Sequence, residues 1–272
     1  MVTQAIIPLA GLGTRLLPLS SVIPKELLPI NGKPNLEYIL DECLQAGIKQ
    51  FIFVVPKNRP SIKKYFFNDN FYKKILKKKK NDKRLIRVFK RLKKFQKMIK
   101  FVYQNKPEGT GHAVLQCKKY LKGTHFLMLL ADDLIVKKNC SKEMISLHNK
   151  TKGSVIATRK VERKTVSRWG ILSIKNKKKN YFQIKDVVEK PSIKKAPSNF
   201  AIIGRYILTT KIFNEIKKLK PGQGGEIHIT DAIRRLIKKE NKFYGNIFTG
   251  KYLDCGTLRG YINSSIEIFK GK

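Results

Sequence analysis

The chain has 272 residues and a hydrophobic content of 42%, which is enough to bury one substantial core and lies within the size range of a single α/β domain. No apolar run approaches the roughly 18 residues that a membrane-spanning helix needs, so we expect no membrane partner. The formal net charge of +40 would by itself suggest a nucleic-acid partner, but lysines dispersed from Lys49 to Lys272 are typical of a compositional bias rather than of one binding patch.

The first predicted element is a strand from Gln4 to Leu9, which ends in the loop Ala10-Gly11-Leu12-Gly13-Thr14-Arg15. Two glycines one residue apart allow a sharp turn that points backbone N–H groups at a phosphate, and Arg15 and Lys25 add positive charge. Leu16 replaces the third glycine of the dinucleotide-binding fingerprint, and no Gly-Lys-Ser/Thr of a P-loop follows. The loop therefore predicts a triphosphate site of another kind, with an ordinary strand-to-helix turn as the alternative.

Apolar strand-like runs then alternate with helical patterns, which is typical of an α/β fold. We predict a Rossmann-like, mixed and mostly parallel sheet flanked by helices, in a single domain over residues 1–272. The predicted elements are a helix at Leu36–Ala46, strands at Phe51–Val55 and Ile99–Tyr103, a helix at His112–Leu121, strands at Phe126–Leu130, Ser154–Thr158, Gly170–Ile174, Phe182–Val188 and Ala201–Leu208, helices near Lys211–Lys217 and at Asp231–Lys239, a strand at Phe243–Phe248 and a closing helix from Thr257.

The densest positive charge lies between Lys73 and Lys100, with Tyr72, Phe89 and Phe95 interleaved. A groove for nucleic acid would need its cations on one surface, whereas a solvated helical face or loop needs only exposure. We interpret the segment as solvated and expect no specific nucleic-acid partner.

The cysteines, Cys43, Cys117, Cys140 and Cys255, are far apart and form no C-x-x-C pair. This spacing argues against a zinc site and against a redox motif, so we interpret them as reduced thiols. The chain also begins directly with a strand and shows no secretory signal pattern. We therefore expect a cytoplasmic location.

Two aspartates follow apolar runs and are candidates for Mg²⁺ ligands. Asp132 closes the strand Leu127-Met128-Leu129-Leu130, and Asp254 lies in Tyr252-Leu253-Asp254-Cys255-Gly256. Carboxylates, phosphate oxygens and water are the usual environment of Mg²⁺, and ligands of open α/β sheets gather at the carboxyl ends of strands. Each aspartate alone would also suit a turn or cap, and we expect Asp133 to be a neighbour in the loop.

The run from Ala10 to Pro29, with Pro18, Pro24, Lys25 and Glu26, resembles the signature of the nucleoside-diphosphate-sugar pyrophosphorylases. Further segments of that family follow in its order, and the resemblance runs from about Ala5 to about Ile268. These further segments are Gln104-Asn105-Lys106-Pro107-Glu108-Gly109-Thr110-Gly111-His112-Ala113-Val114, Trp169-Gly170, Val187-Val188-Glu189-Lys190-Pro191 and Gly224-Gly225-Glu226-Ile227-His228-Ile229-Thr230-Asp231. Trp169 is a mild departure, because the family usually has tyrosine there.

The resemblance implies roles for individual residues. Nucleotide contacts would come from Ala10, Gly11, Gly13, Thr14 and Glu26, with Gln104 on a uracil edge, Gly109 and Gly111 passing close to the base and ribose, and His112 either on the nucleotide or only packing. Residues 154–256 would supply the sugar-phosphate site through Gly170, Glu189, Glu226 and Thr230, with Lys190 on the phosphate. Asp132 and Asp254 match the metal-binding aspartates, and Thr230 is also a candidate helix N-cap.

The resemblance therefore implies a Mg²⁺-dependent transfer in which glucose 1-phosphate attacks the α-phosphorus of UTP, with Arg15, Lys25 and Lys190 as catalytic cations. An enzyme that uses dTTP is the nearest alternative, because a pocket discriminates one methyl group by only about 1–3 kcal/mol. A basic nucleic-acid-binding protein that has kept this fold is a remote one. Relatives form dimers or tetramers, so we expect a homo-oligomer.

Overall fold

The computed structural model describes residues 1–80, 82–240 and 242–271, with the side chain of Gln223 excepted. The strands are β1 (Gln4–Pro8), β2 (Pro29–Ile30), β3 (Lys33–Pro34), β4 (Gln50–Val55), β5 (Ile99–Tyr103), β6 (His125–Leu129), β7 (Asp133–Val136), β8 (Ser154–Lys160), β9 (Gly170–Lys175), β10 (Tyr181–Glu189), β11 (Phe200–Thr209), β12 (Phe243–Ile247) and β13 (Lys251–Asp254). The helices are α1 (Asn35–Gln45), α2 (Ser61–Phe67), α3 (Asp69–Lys78), α4 (Lys83–Met98), α5 (Gly109–Leu115), α6 (Cys140–Thr151), α7 (Ile212–Ile216), α8 (Ile229–Lys239) and α9 (Leu258–Lys270).

Among the described residues, a nine-stranded sheet runs in the order β5-β4-β1-β6-β11-β8-β12-β10-β9. Strands β5, β4, β1 and β6 pair in parallel, as do β12 and β8, and the other neighbours are antiparallel. The predicted α/β class with a mixed sheet is confirmed. Parallel pairing dominates the N-terminal half, where helical connections let successive strands run in the same direction.

Helices cover both faces of this sheet, so its central strands are apolar throughout. In β1, Ala5 and Ile7 contribute to the core beneath α1, α4 and α6, while Ile6 faces the core beneath α5, α7 and α8. This alternation places side chains of a fully buried parallel strand in two cores. The carboxyl ends of the parallel strands then share one edge, where the glycine loop begins.

The predicted helix at His112–Leu121 is shorter than expected. Helix α5 ends at Leu115, and a separate 3₁₀ turn follows at Lys118–Tyr120. The predicted N-cap at Thr230 is wrong, because α8 begins at Ile229 with His228 as its N-cap, so Thr230 lies inside the first turn. The closing helix begins as predicted, with the Thr257 hydroxyl accepting a hydrogen bond from the Gly260 N–H.

The basic segment spans the second half of α3, all of α4 and the start of β5. Its cations are exposed apart from two. Arg91 binds Glu37 and Asp41, and Lys93 binds Asp69. The prediction of a solvated helical face is confirmed.

The four cysteines are buried and unpaired, in agreement with reduced thiols. None of the described helices combines the length and the apolar composition needed to cross a membrane.

Candidate active site

A first cavity lies against the glycine loop at the carboxyl end of β1, and we call it the loop cavity. Its volume is about 240 Å³. Four predicted loop residues line it, together with residues from the start of α5 and from the loop before α8: Ala10, Gly11, Gly13, Thr14, Gln104, Gly109, Thr110 and Glu226. Gly13 adopts φ +68°, a left-handed conformation that favours glycine. The loop therefore turns as the sequence predicted and presents backbone to the cavity.

The opposite wall depends on two glycines that pack against Ile227. A Cβ on Gly109 would lie 2.7 Å from the Ile227 carbonyl oxygen, and one on Gly111 would lie 2.8 Å from it. The Gly111 N–H also donates to that oxygen over 2.7 Å. Gly109 lines the cavity, as predicted. Gly111 does not, so its close approach is to protein backbone rather than to a ligand.

Gln104 is buried in the wall of the loop cavity, and its amide orientation is fixed. Its Nε2 donates to the Gly109 carbonyl oxygen at 3.3 Å and lies 3.0 Å from His112 Nδ1. The carbonyl can only accept, so the NH₂ group points towards α5 and Oε1 is the atom left for a ligand. His112 lines neither this cavity nor the second one described below. In the structure His112 supports Gln104, and its contact with the substrate stays a prediction.

A second cavity, the carboxylate cavity, adjoins the first at Thr110, which lines both. Its volume is also about 240 Å³. Its wall comes from the ends of β6, β10 and β13, from β11 and from the first turn of α8. The predicted residues Arg15, Asp132, Gly170, Glu189, Thr230 and Asp254 line it, as do Asp133, Arg168, Trp169, Gly204, Tyr206 and Tyr252.

Asp132 is held between two predicted cations. Lys25 Nζ donates to its Oδ2 over 2.6 Å, and Arg15 Nη2 lies 4.0 Å from the same oxygen. Burial raises the pKa of Asp132, but the charge and hydrogen bond of Lys25 outweigh this and hold the pKa below its usual value. Burial likewise lowers the pKa of Lys25, and Asp132 and Glu26 outweigh it and raise that pKa. Both groups are therefore charged at neutral pH.

Asp254 faces the same small space as Asp132. Its Oδ1 accepts a hydrogen bond from the Gly256 N–H at 2.8 Å, and its Oδ2 accepts one from the Thr257 hydroxyl. A Cβ on Gly256 would lie 2.9 Å from Asp132 Oδ2 and 3.3 Å from Asp254 Oδ1. Both carboxylates thus border the same position beside Gly256, and Arg15 Nη2 lies 3.3 Å from it. Paired carboxylates are ligands that suit a divalent cation. In the described part of the chain no group of three or more His, Cys, Asp or Glu side chains could hold a metal, so phosphate oxygens and water would complete the set.

Asp133, which was expected in the loop, begins β7 and lies half-buried in the cavity wall. The Tyr252 hydroxyl donates to its Oδ1 at 2.6 Å, and the Gly204 N–H donates to its Oδ2 at 3.0 Å. Burial, followed by the nearby charge of Asp132, raises the pKa of Asp133 to about 6. Buried Arg205 donates to the Asp133 carbonyl oxygen and forms an ion pair with Glu42. This network fixes the chain directly after Asp132, and nothing local in the sequence indicated it.

The far side of the carboxylate cavity carries polar groups suited to hydroxyl recognition. A Cβ on Gly170 would lie 3.1 Å from Glu189 Oε2, so glycine keeps this carboxylate accessible. Thr230 lines the cavity, and its hydroxyl is buried without a hydrogen-bond partner among the described residues. Lys190 lines neither cavity but follows Glu189, with Nζ 3.9 Å from Glu189 Oε1 and an unusual φ of +43°.

Two predicted substrate contacts lie elsewhere. Glu226 lines the loop cavity and not the carboxylate cavity, so it is near the base-binding segment rather than the sugar end. Glu26 lines neither and is 2% exposed behind the glycine loop, near Lys25 and Arg59. Burial raises the pKa of Glu26 to about 7, although Lys25 opposes this. The structure does not support a direct substrate contact from Glu26.

We expect Glu26→Gln to stabilise the protein at pH 8 and to leave substrate KM values within about twofold. The folded state keeps a proton that the unfolded state releases, so the free energy of unfolding falls as the pH rises from about 4.5 to about 7. The loss amounts to on the order of 3 kcal/mol, and glutamine should remove it. Urea unfolding between pH 4.5 and 8 checks this. A large increase in KM would instead place Glu26 on the substrate.

Comparisons with known proteins agree with this geometry. Residues 4–270 match the family model described as nucleotidyl transferase. The chain is 36% identical to the UTP–glucose-1-phosphate uridylyltransferase of Staphylococcus haemolyticus over 98% of the chain and 92% of that protein, and 35% identical to the enzyme of the same name from Bacillus subtilis over 98% and 90%. A crystal structure of a UDP-glucose pyrophosphorylase complexed with UDP-glucose superposes with a TM-score of 0.88 at 34% identity, covering both chains completely.

Proposed function

The chain belongs to the nucleotidyl transferase family, and from that membership we propose that it joins UTP to glucose 1-phosphate. The reaction yields UDP-glucose and pyrophosphate. The observation that carries this assignment is the pair of adjoining cavities, one against a glycine loop and one holding two carboxylates, in a chain similar over nearly its full length to uridylyltransferases.

In the reaction, an oxygen of the glucose 1-phosphate phosphate forms a bond to the α-phosphorus of UTP, and the bond from that phosphorus to the bridging oxygen of the β-phosphate breaks. Pyrophosphate leaves with that oxygen. The nucleophile is already anionic at neutral pH, so no general base and no covalent enzyme intermediate are needed. Catalysis then depends on alignment and on compensation of negative charge.

We assign the loop cavity to UTP and the carboxylate cavity to glucose 1-phosphate. Backbone N–H groups between Ala10 and Thr14 would bind the phosphates, and Arg15 and Lys25 would neutralise the leaving pyrophosphate. At the sugar end, Glu189 and the Thr230 hydroxyl would bind glucose hydroxyls, and Lys190, beside Glu189, would orient the attacking phosphate. Support comes from the cations beside Asp132 and from the unpartnered hydroxyl of Thr230.

A divalent metal ion is typical of this family, and we propose Mg²⁺ held by Asp132 and Asp254. Bound there, it would offset negative charge at the α-phosphate. The two carboxylates fit this role because both border the same position beside Gly256. Lys25 keeps Asp132 ionised, since its positive charge opposes protonation of the buried carboxyl.

The direct test is pyrophosphate release by the purified protein with UTP and glucose 1-phosphate, with Mg²⁺ or with EDTA. We expect UDP-glucose to form only with Mg²⁺ present. A competition between UTP and dTTP in the same assay measures how strongly the protein discriminates against the methyl group of thymine. Turnover of ATP or GTP without turnover of UTP would refute the substrate assignment.

We expect His112→Phe to raise the KM for UTP about five- to tenfold and to change kcat less than threefold. The substitution removes the contact that orients Gln104, together with contacts to Gln116 and Glu108. An outward Oε1 accepts from the N3–H of uracil, whereas cytosine carries a lone pair at N3, so the preference for UTP over CTP should fall as well. Initial rates with both nucleotides check this. His125→Phe is the control, because His125 lies at the amino end of β6, at the end of the sheet opposite to the two cavities. Unchanged selectivity would limit His112 to packing.

We further propose that residues 1–272 act as one nucleotidyltransferase domain, with residues 154–256 supplying the sugar-phosphate site. A homo-oligomer, dimer or tetramer, is supported by an apolar stripe on α9, where Leu258, Ile262, Ile266 and Phe269 are exposed at helical spacing. We propose that a second copy of the chain covers this stripe.

A cytoplasmic location is supported by the four buried, unpaired cysteines, which suit a reducing compartment.

A further inference from the structure

The wall of the carboxylate cavity is rich in negative charge. Its four carboxyl groups belong to Asp132, Asp133, Glu189 and Asp254. Under the proposed function, on which this inference rests, glucose 1-phosphate enters the cavity with a phosphate monoester that carries about −1.5 to −2 charges at pH 7. Carboxylates repel such a group, so its binding requires positive charge close to the phosphate.

The cations already assigned to the reaction leave this phosphate without a partner in the cavity wall. Lys25 and Arg15 lie beside one carboxylate of the metal pair and are assigned to the leaving pyrophosphate. Lys190 lines neither cavity. Among the described residues, the basic side chains that line the carboxylate cavity besides Arg15 are those of Arg168 and His228.

Arg168 is the one of these two that is free to bind a ligand. His228 already faces a carboxylate, with its Nδ1 4.0 Å from Glu226 Oε2. The Arg168 side chain is exposed, and within the described ranges of the chain no residue forms a hydrogen bond or an ion pair with its guanidinium. Arg163, by contrast, donates to three backbone carbonyl oxygens. All N–H groups of the Arg168 guanidinium therefore remain available as donors.

The backbone that carries Arg168 is held on both sides. Arg168 ends the 3₁₀ turn Arg163–Arg168, in which Val166 is fully buried. The next residue, Trp169, donates its N–H to the Val166 carbonyl oxygen at 3.1 Å and accepts at its own carbonyl oxygen from the Lys190 N–H at 3.0 Å. A fixed backbone lowers the entropic cost of binding, because only the side chain has to be ordered.

Arg168 also lies at the sugar end of the site. It lines the carboxylate cavity and not the loop cavity, and Gly170, two residues later, pairs with Glu189 at the end of β10. A guanidinium presents its N–H groups in a planar fork that matches two phosphate oxygens. We propose that Arg168 binds the phosphate of glucose 1-phosphate and orients it for attack on the α-phosphorus of UTP.

The test is to measure initial rates with both substrates varied, for the unchanged protein, Arg168→Gln and Arg168→Lys. Arg168→Gln should raise the KM for glucose 1-phosphate about ten- to thirtyfold, because a charge-assisted contact with two phosphate oxygens is lost. The KM for UTP should stay within about twofold, and the melting temperature should stay unchanged, since the guanidinium has no partner to lose among the described residues. Arg168→Lys should recover part of the loss, because lysine keeps the charge without the fork.

Lys164→Gln is the matched control, because Lys164 lies in the same 3₁₀ turn, pairs with Glu162 and lines neither active-site cavity. It makes the same change of charge and should leave both KM values within about twofold. Equal KM values for glucose 1-phosphate in Arg168→Gln and Lys164→Gln would overturn the proposal. A larger increase in the KM for UTP than for glucose 1-phosphate would also overturn it, because Arg168 would then act on the nucleotide.

Failure of the proposed function gives a different result, because the unchanged protein would then not turn over UTP and glucose 1-phosphate at all. In that case, calorimetric titration with glucose 1-phosphate compares the unchanged protein with Arg168→Gln directly. Binding that is about tenfold weaker in the variant would support the phosphate contact without any turnover. Equal affinity, or no binding to the unchanged protein, would overturn it.

Discussion

Asp254→Asn should lower kcat by about two to three orders of magnitude while the protein remains folded. An amide keeps the shape of the side chain and can still accept the hydrogen bond of the Gly256 N–H, although its NH₂ group cannot accept the one from the Thr257 hydroxyl. It loses the negative charge that a hard dication requires. Turnover should therefore recover only in part at high Mg²⁺, and a Mg²⁺ titration of the initial rate measures both effects.

Asp132→Asn should reduce turnover as strongly but also lower stability, because it removes the hydrogen-bonded counter-ion of Lys25, whose side chain is only 18% exposed. Lys25 would be left with an uncompensated charge, which typically costs about 3–5 kcal/mol. Comparing the two variants by urea unfolding separates the loss of a metal ligand from the loss of an ion pair. The double variant should be scarcely less active than either single one, since both carboxylates serve the same ion.

Asp186→Asn is the matched control, because Asp186 binds Arg234 on the outer part of the sheet and lines neither active-site cavity. It should keep normal turnover. Near-normal turnover of Asp132→Asn or Asp254→Asn at limiting Mg²⁺ would make that aspartate a structural residue and would refute the metal assignment.

The sequence predicted the central strands because burial on both faces leaves a continuous apolar run, as in Phe51–Val55 and Phe126–Leu130. It did not predict β7 and β13, since each has only four residues and their pairing joins Asp133 to Asp254 across a long separation. Helix α6 was also overlooked, although Asn139 caps it by accepting from the Lys142 N–H. Its polar residues obscure the helical spacing of the buried positions.

The candidate site was predictable in its residue types and less so in its contacts. Glycines and charges of the loop follow from what a phosphate needs, so Gly13, Arg15 and Lys25 could be proposed directly from the sequence. Whether a side chain meets a ligand or supports one that does depends on packing. Gly111 approaches Ile227, and His112 holds Gln104, because α5 is pressed against the segment before α8.

Lys25→Met should reduce kcat by about two to four orders of magnitude, through two separate losses. The leaving pyrophosphate would lose a cation, and Asp132 would lose the charge that keeps it ionised. Without Lys25, burial and the neighbouring Asp133 would raise the pKa of Asp132. Its protonated form cannot hold a metal, so the acidic limb of the pH–rate profile should move to higher pH, and residual activity should increase as the pH rises.

The profile of kcat against pH distinguishes these two losses. If only the charge compensation of pyrophosphate were lost, the rate would fall equally at every pH. Lys25→Arg should restore the position of the acidic limb, since arginine also stays charged beside Asp132, even where its larger head group lowers kcat. Lys93→Met is the control, because it breaks an ion pair with Asp69 on the basic helices, far from both cavities. If Lys25→Met keeps kcat within threefold of the unchanged protein, with the acidic limb in its original position, Lys25 neither ionises Asp132 nor assists the leaving group.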